Sequence, residues 1–149
     1  MPQSLTNLLT HLIFSTKNRA RLLASKDLRH SAHAYLATVL RDRKCPAVIV
    51  GGIADHVHIL CHLGKTESVS NLMEHLKASS SKWLKTQGSP IFTWQRGYGA
   101  FSVSQSQVDA VVFYVQNQEE HHRSVTFEEE YRSFLRGYRV AFDERYVWD

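Results

Sequence analysis

Several things are scarce in this chain, and each scarcity removes a class. No apolar run approaches the roughly 18 residues needed to span a bilayer, so no membrane helix is expected. The N-terminus lacks the basic and apolar segments of a secretory signal. Cysteines number only two, Cys45 and Cys61. Their spacing suits neither a disulfide framework nor a Cys-x-x-Cys clasp, which implies a reducing, cytoplasmic setting. Internal repeats and low-complexity tracts are absent. An excess of one charge is weak too: a net +4 is compatible with a polyanionic partner without requiring one. What remains is 149 residues, 43% hydrophobic and 21% charged. That is one domain, residues 1–149, long enough to bury a real core.

The best organised stretch is 52–63, Gly-Ile-Ala-Asp-His-Val-His-Ile-Leu-Cys-His-Leu. Rich in branched apolar residues and preceded by Gly51-Gly52, it reads as a buried strand. Alternation sends Val57, Ile59, Cys61 and Leu63 to one face and His56, His58, Leu60 and His62 to the other. Two imidazoles two residues apart on a strand can share one metal ion. They can also be no more than the wet side of an amphipathic strand, so a nucleophile and a third ligand must come from elsewhere.

In chain order, a strand at about 7–16 puts Leu12 and Phe14 on one face and His11 and Ile13 on the other. It exits into Lys17, Asn18, Arg19 and Arg21, which suit either a solvated loop or a phosphate contact. A helix at about 26–43 follows, capped by Ser25, with Leu28, Ala32, Tyr35, Leu36, Val39 and Leu40 as its apolar stripe. A strand at 47–53 forms a hairpin with the histidine strand. Ser68 caps a second helix to about 86, whose other side carries Lys77, Ser81, Lys82 and Lys85. Serines among lysines suit phosphate oxygens as well as plain solvation. A fourth strand begins near Phe101, with Phe101 and Val103 facing the core. The resulting β-α-β-β-α-β order is ferredoxin-like, an α+β fold. It centres the first and third strands and gathers His11, His56 and His58 on a face expected to be free of helices.

A third helix, about 105–123, carries Val108, Val111, Val112 and Val115 as its stripe. Tyr114 and Gln118, four apart, share its flank, with His121 near the same side. Such residues are commonly packing residues. Opposite a histidine pair, however, a tyrosine can serve as covalent nucleophile and a glutamine oxygen can complete a site for a hard cation. Thr126 and Glu129 form a capping box for a last helix at about 127–137. Beyond it Tyr138, Phe142, Tyr146 and Trp148 alternate with Arg136, Arg139 and Arg145. They can stack on unpaired bases or pack an extra element onto the core, the second being the reading preferred for most of them.

The ordered set His56-Val57-His58, residues 94–103 (Trp-Gln-Arg-Gly-Tyr-Gly-Ala-Phe-Ser-Val), and Tyr114-Val115-Gln116-Asn117-Gln118 followed by His121-His122 resembles the single-tyrosine HUH transposases. These insertion-sequence enzymes and their relatives associated with repetitive extragenic palindromes (REPs) move DNA as a single strand. The resemblance extends from residues 14–19 to the terminus. It implies His56, His58 and Gln118 as ligands of a divalent ion, Mg2+ or Mn2+, and Tyr114 as nucleophile on an added C-terminal catalytic helix. It further implies a 5′-phosphotyrosine intermediate and single-stranded or hairpin DNA as partner. Lys17, Arg19, Lys77, Lys82, Lys85 and Arg96 are the candidate DNA contacts. A homodimer is expected, its partner covering the open sheet face, and the resemblance implies exchange of the Tyr114 helices between the two copies. Two rivals are weighed. A hydrolase of the metallo-β-lactamase kind needs an acidic ligand just after His-x-His, where Ile59-Leu60-Cys61 stands. A non-catalytic nucleic-acid-binding module needs neither Tyr114 nor a metal.

Overall fold

In the computed structural model, which describes residues 2–149, the predicted β-α-β-β-α-β order is realised and extended by three further helices. Strands β1 (Leu9–Ser15), β2 (Ala47–Ile53), β3 (His56–His62) and β4 (Gly99–Ser102) form one sheet in the order β2-β3-β1-β4. Every pairing is antiparallel, and β1 and β3 occupy the centre. Helices α1 (Lys26–Asp42) and α2 (Val69–Thr86) cover one face. Both start where a serine hydroxyl can take a free backbone N–H: Ser25 accepts from Leu28 and Ser68 from Asn71. Leu12, Phe14, Val57, Ile59 and Cys61 meet Leu36, Leu40, Leu72 and Leu76 there in the main core.

The turn into β3 depends on Gly52. Its φ is +148°, and a Cβ there would come within 2.2 Å of the His56 carbonyl oxygen. Only glycine adopts this conformation without a clash, so it sets where His56 begins its strand. Gly51 next to it lets α3 lie close, since its Cβ would meet Val115 at 2.7 Å.

Two expectations need correction. The other sheet face is not open. Helix α5 (Phe127–Gly137), capped by Thr126 accepting from Glu129, lays Phe127, Tyr131 and Leu135 on it, where they pack with Ile13 and Phe101. These residues recur every four positions, so a single amphipathic helix supplies what the sequence reading assigned to a second copy. Phe101 accordingly joins this second cluster rather than the main core. The helix expected over 105–123 is also broken. A 3-10 turn (Gln105–Gln107) leads into α3 (Val108–Gln116), and a separate short α4 (Gln118–His121) follows Asn117. The Asn117 side-chain amide donates to the Phe113 carbonyl at 2.7 Å, competing with the backbone for that acceptor just where the helix stops. In the tail, Phe142, Val147 and Trp148 pack on the second cluster, while Tyr138 and Tyr146 remain exposed.

Candidate active site

The site lies between the β1–β3 centre of the sheet and the helices α3, α4 and α5. Antiparallel register places Ile13 opposite His58 and His11 opposite Leu60, so His11 and His58 are diagonal neighbours on one face. His11 Nε2 lies 2.8 Å from His58 Nδ1. His56 Nδ1 donates to Asp55 Oδ1 at 2.7 Å. His56 and His58 thus each have Nδ1 held and Nε2 turned inward, the arrangement that orients imidazole for metal binding.

Three helices bring the remaining groups. Gln118, buried at the start of α4, puts Oε1 3.0 Å from His56 Nε2 and 3.0 Å from His122 Nε2. His122 is anchored from behind, its Nδ1 donating to the Val125 carbonyl at 2.6 Å. From α5 comes Glu130, only 3% exposed. Its Oε1 lies 2.8 Å from His58 Nε2 and 3.4 Å from His56 Nε2, and its Oε2 lies 3.2 Å from the Nε2 of both His121 and His122. The Tyr114 hydroxyl donates to Glu130 Oε2 and stands 3.3 Å from His121 Nε2.

Electrostatics follows from this crowding. Burial favours neutral imidazole at His56, but hydrogen bonds to Asp55 and Glu130 outweigh it and push the ring up to about 9. Burial keeps His58 below its ordinary value despite Glu130, and burial with the neighbouring His58 pulls His11 down to about 3. Glu130 is opposed by burial, yet the hydrogen bonds from His122, His56 and His58 hold it far below the usual carboxylate range. Burial, then the Glu130 charge, raises the Tyr114 phenol well above its ordinary value.

The sequence-predicted residues are therefore brought together in part. Tyr114, His56, His58 and Gln118 meet around Glu130: Gln118 Oε1 lies 3.0 Å from His56 Nε2, and Glu130 joins the Tyr114 hydroxyl to His58. The cations scatter. Lys17 and Arg96 are exposed and line one groove with Trp94 and Trp148. Arg19 donates to the Trp148 carbonyl at 2.9 Å and lies 3.8 Å from Glu128, tying the C-terminal segment down. Lys77 donates to the carbonyls of Gln95 and Arg96 at 2.8 and 3.0 Å, and burial lowers its ammonium to about 8. Lys82 and Lys85 are exposed on α2, in the layer across the sheet from the histidines. Sequence reasoning missed Asp55 and, above all, Glu130. The available signal was a carboxylate within the apolar face of α5, between Phe127 and Phe134, where a paired or functional charge is the rule.

His56, His58, His122 and Glu130 offer ligand atoms that all lie within 4.8 Å of one another. Imidazole nitrogens mixed with carboxylate and amide oxygens suit a small divalent cation, so the donor chemistry fits.

Comparison with known proteins gives the family and the fold. The family model described as "Transposase IS200 like" matches residues 4–118. The chain belongs to the IS200-like transposase family. A Deinococcus radiodurans protein classed as a transposase has the same fold, with a TM-score of 0.62 at 20% identity, over 79% of this chain and 98% of its own. A REP-associated tyrosine transposase, solved bound to a REP hairpin, is similar with a TM-score of 0.59 at 16% identity, over 97% of this chain and 93% of its own. No curated protein matches the chain. Among the described residues no helix is long and apolar enough to cross a membrane.

Proposed function

We propose that this transposase cleaves and rejoins single-stranded DNA through a covalent 5′-phosphotyrosine intermediate, acting in the cytoplasm on hairpin-bearing strands. The observation that carries the reading is the meeting of Tyr114 with the histidine pair, its hydroxyl joined to His58 through the buried Glu130.

In this reading the Tyr114 Oη attacks the phosphorus of a phosphodiester. The P–O3′ bond breaks, leaving the 5′-phosphate on Tyr114 and a free 3′-hydroxyl. One phosphodiester replaces another, so bond energy is kept and a 3′-hydroxyl can reverse the step without ATP. His56 and His58 hold a divalent ion, Mg2+ or Mn2+, with Gln118 beside them. Once bound, it supplies Lewis-acid stabilisation of the charge developing on the non-bridging oxygens. Glu130 Oε2 already accepts the hydrogen bond of the hydroxyl that must lose its proton. Asp55 and His11 keep the two strand imidazoles oriented. The exposed Lys17 and Arg96 flank a groove where phosphates and an unpaired base beside Trp148 can lie.

In the homodimer that the resemblance implies, the Tyr114 helix serves either the histidine pair of its own chain or that of the partner. Mixing His58→Ala with Tyr114→Phe chains tests this directly: cis assembly predicts no recovered activity in mixed dimers, and helix exchange predicts recovery.

The function is tested by incubating the protein with single-stranded hairpin DNA from the flanks of its own gene and Mg2+ or Mn2+. A protein–DNA adduct that survives a denaturing gel is expected. Tight binding with no adduct and no cleavage would instead support a non-catalytic single-strand-binding module.

A further inference from the structure

Glu130 and His122 lie beyond residues 4–118, the stretch that the family model matches. Yet no carboxylate in the described chain is more closely surrounded by imidazoles. Glu130 has no lysine or arginine partner among its ion pairs; it is met only by the Nε2 atoms of His56, His58, His121 and His122 and by the Tyr114 hydroxyl. A packing role does not account for this, because an apolar side chain would fill the same position without the cost of burying a charge.

The spacing has a further regularity. Bonds of about 2.0–2.2 Å to a small divalent ion imply edges of roughly 3.0–3.5 Å between neighbouring donor atoms. Glu130 Oε1 to His56 Nε2 is 3.4 Å and Glu130 Oε2 to His122 Nε2 is 3.2 Å, both within that range, while Glu130 Oε1 to His58 Nε2, at 2.8 Å, is a hydrogen-bond distance shorter than such an edge. Outer anchoring points the same way. The Nδ1 atoms of His56, His58 and His122 are engaged by Asp55, His11 and the Val125 carbonyl, leaving three Nε2 atoms to converge on one place.

We infer that His122 and Glu130 are ligands of the divalent ion alongside His56 and His58. Glu130 also acts as a positioning residue, holding the Tyr114 hydroxyl on the oxygen that it does not share with His58. The C-terminal helix α5 therefore contributes to the metal centre itself, and one carboxylate links metal and nucleophile. This rests on the metal-binding reading of His56 and His58 given above.

The test is calorimetric titration of the full chain with Mn2+, together with the visible spectrum of the Co2+-loaded protein. Glu130→Gln and His122→Ala are each expected to weaken Mn2+ affinity at least about tenfold and to alter the Co2+ spectrum. Affinity unchanged in either variant, or tighter binding by Glu130→Gln, overturns the assignment; tighter binding would mark Glu130 as a competitor for the site. If Glu130→Gln does not fold, Glu130→Asp replaces it, keeping the charge but shortening its reach. Wild-type affinity together with a wild-type Co2+ spectrum in that variant would likewise overturn it. His58→Ala separates the two levels. If His58→Ala binds Mn2+ as tightly as wild type, the underlying metal reading fails, whatever Glu130 does.

Discussion

The two faces of the central strands are built from alternate residues of the same segments, yet they do opposite things. Toward α1 and α2, Val57, Ile59 and Cys61 enter a core of aliphatic and aromatic side chains. Toward α5, His56 and His58 enter a cluster of imidazole, carboxylate, amide and phenol. Both faces are fully buried there, so burial does not distinguish structure from chemistry. The distinction is what each buried group finds: carbon on one side, donors and acceptors on the other. The apolar face keeps the strand in register so that the polar face can be built.

Substitutions can break either face alone. On the polar face, His58→Ala should cut divalent-ion affinity and strand cleavage by at least about 100-fold while leaving the main core intact, measured by calorimetry and a gel assay. Wild-type cleavage in limiting metal would show that the histidine only fills the strand. On the apolar face, Ile59→Ala should cost about 2–4 kcal/mol of stability in chemical denaturation. Metal affinity of its folded fraction should stay within about twofold of wild type, and a loss as large as that of His58→Ala would mean the faces are not separable.

The pH response sharpens the contrast more gently. His56, raised to about 9, adds stability that is complete below its ordinary 6.5 and is lost as pH rises through about 9. His11, and His33 on α1, are pushed down chiefly by burial to about 3 and about 4, so the fold holds them neutral and acid below about 6.5 works against it. Thermal melting in the presence of chelator should therefore peak between about pH 6 and 7. A melting temperature that climbs from pH 6.5 to 9 would contradict the His56–Glu130 pairing. The smallest effect is at the rim. Arg96→Ala should weaken single-stranded DNA binding modestly and lower the salt dependence by about one charge, leaving metal affinity alone. An unchanged salt slope would remove Arg96 from the DNA track.

How much of this was readable in the sequence follows the same division. The apolar face was legible because period-2 and period-3.6 patterns are local: Leu12, Phe14, Val57, Ile59 and the stripes of α1 and α2 lie where their spacing puts them. The serine and threonine caps were legible for the same reason. Tyr114, His56, His58 and Gln118 were singled out by motif. Glu130 was not, because α5 shows a carboxylate within its apolar face but not the partners, up to 74 positions away, that give it meaning. The same blind spot left the sheet face open: nothing local says that Phe127, Tyr131 and Leu135 close on Ile13 and Phe101. Nor did spacing alone reveal that Asn117 interrupts the helix between Tyr114 and Gln118.

The central claim is that Tyr114, and no other residue, forms the covalent bond to DNA. It is tested most directly by mass mapping of the peptide that carries the nucleotide after reaction with a hairpin strand, for wild type and Tyr114→Phe side by side. The account predicts a nucleotide-bearing peptide containing Tyr114 in wild type. Tyr114→Phe should give no adduct while keeping its fold and DNA affinity, since one hydroxyl is lost and the ring remains. An adduct of normal yield in Tyr114→Phe, or one mapped to another residue, would contradict it.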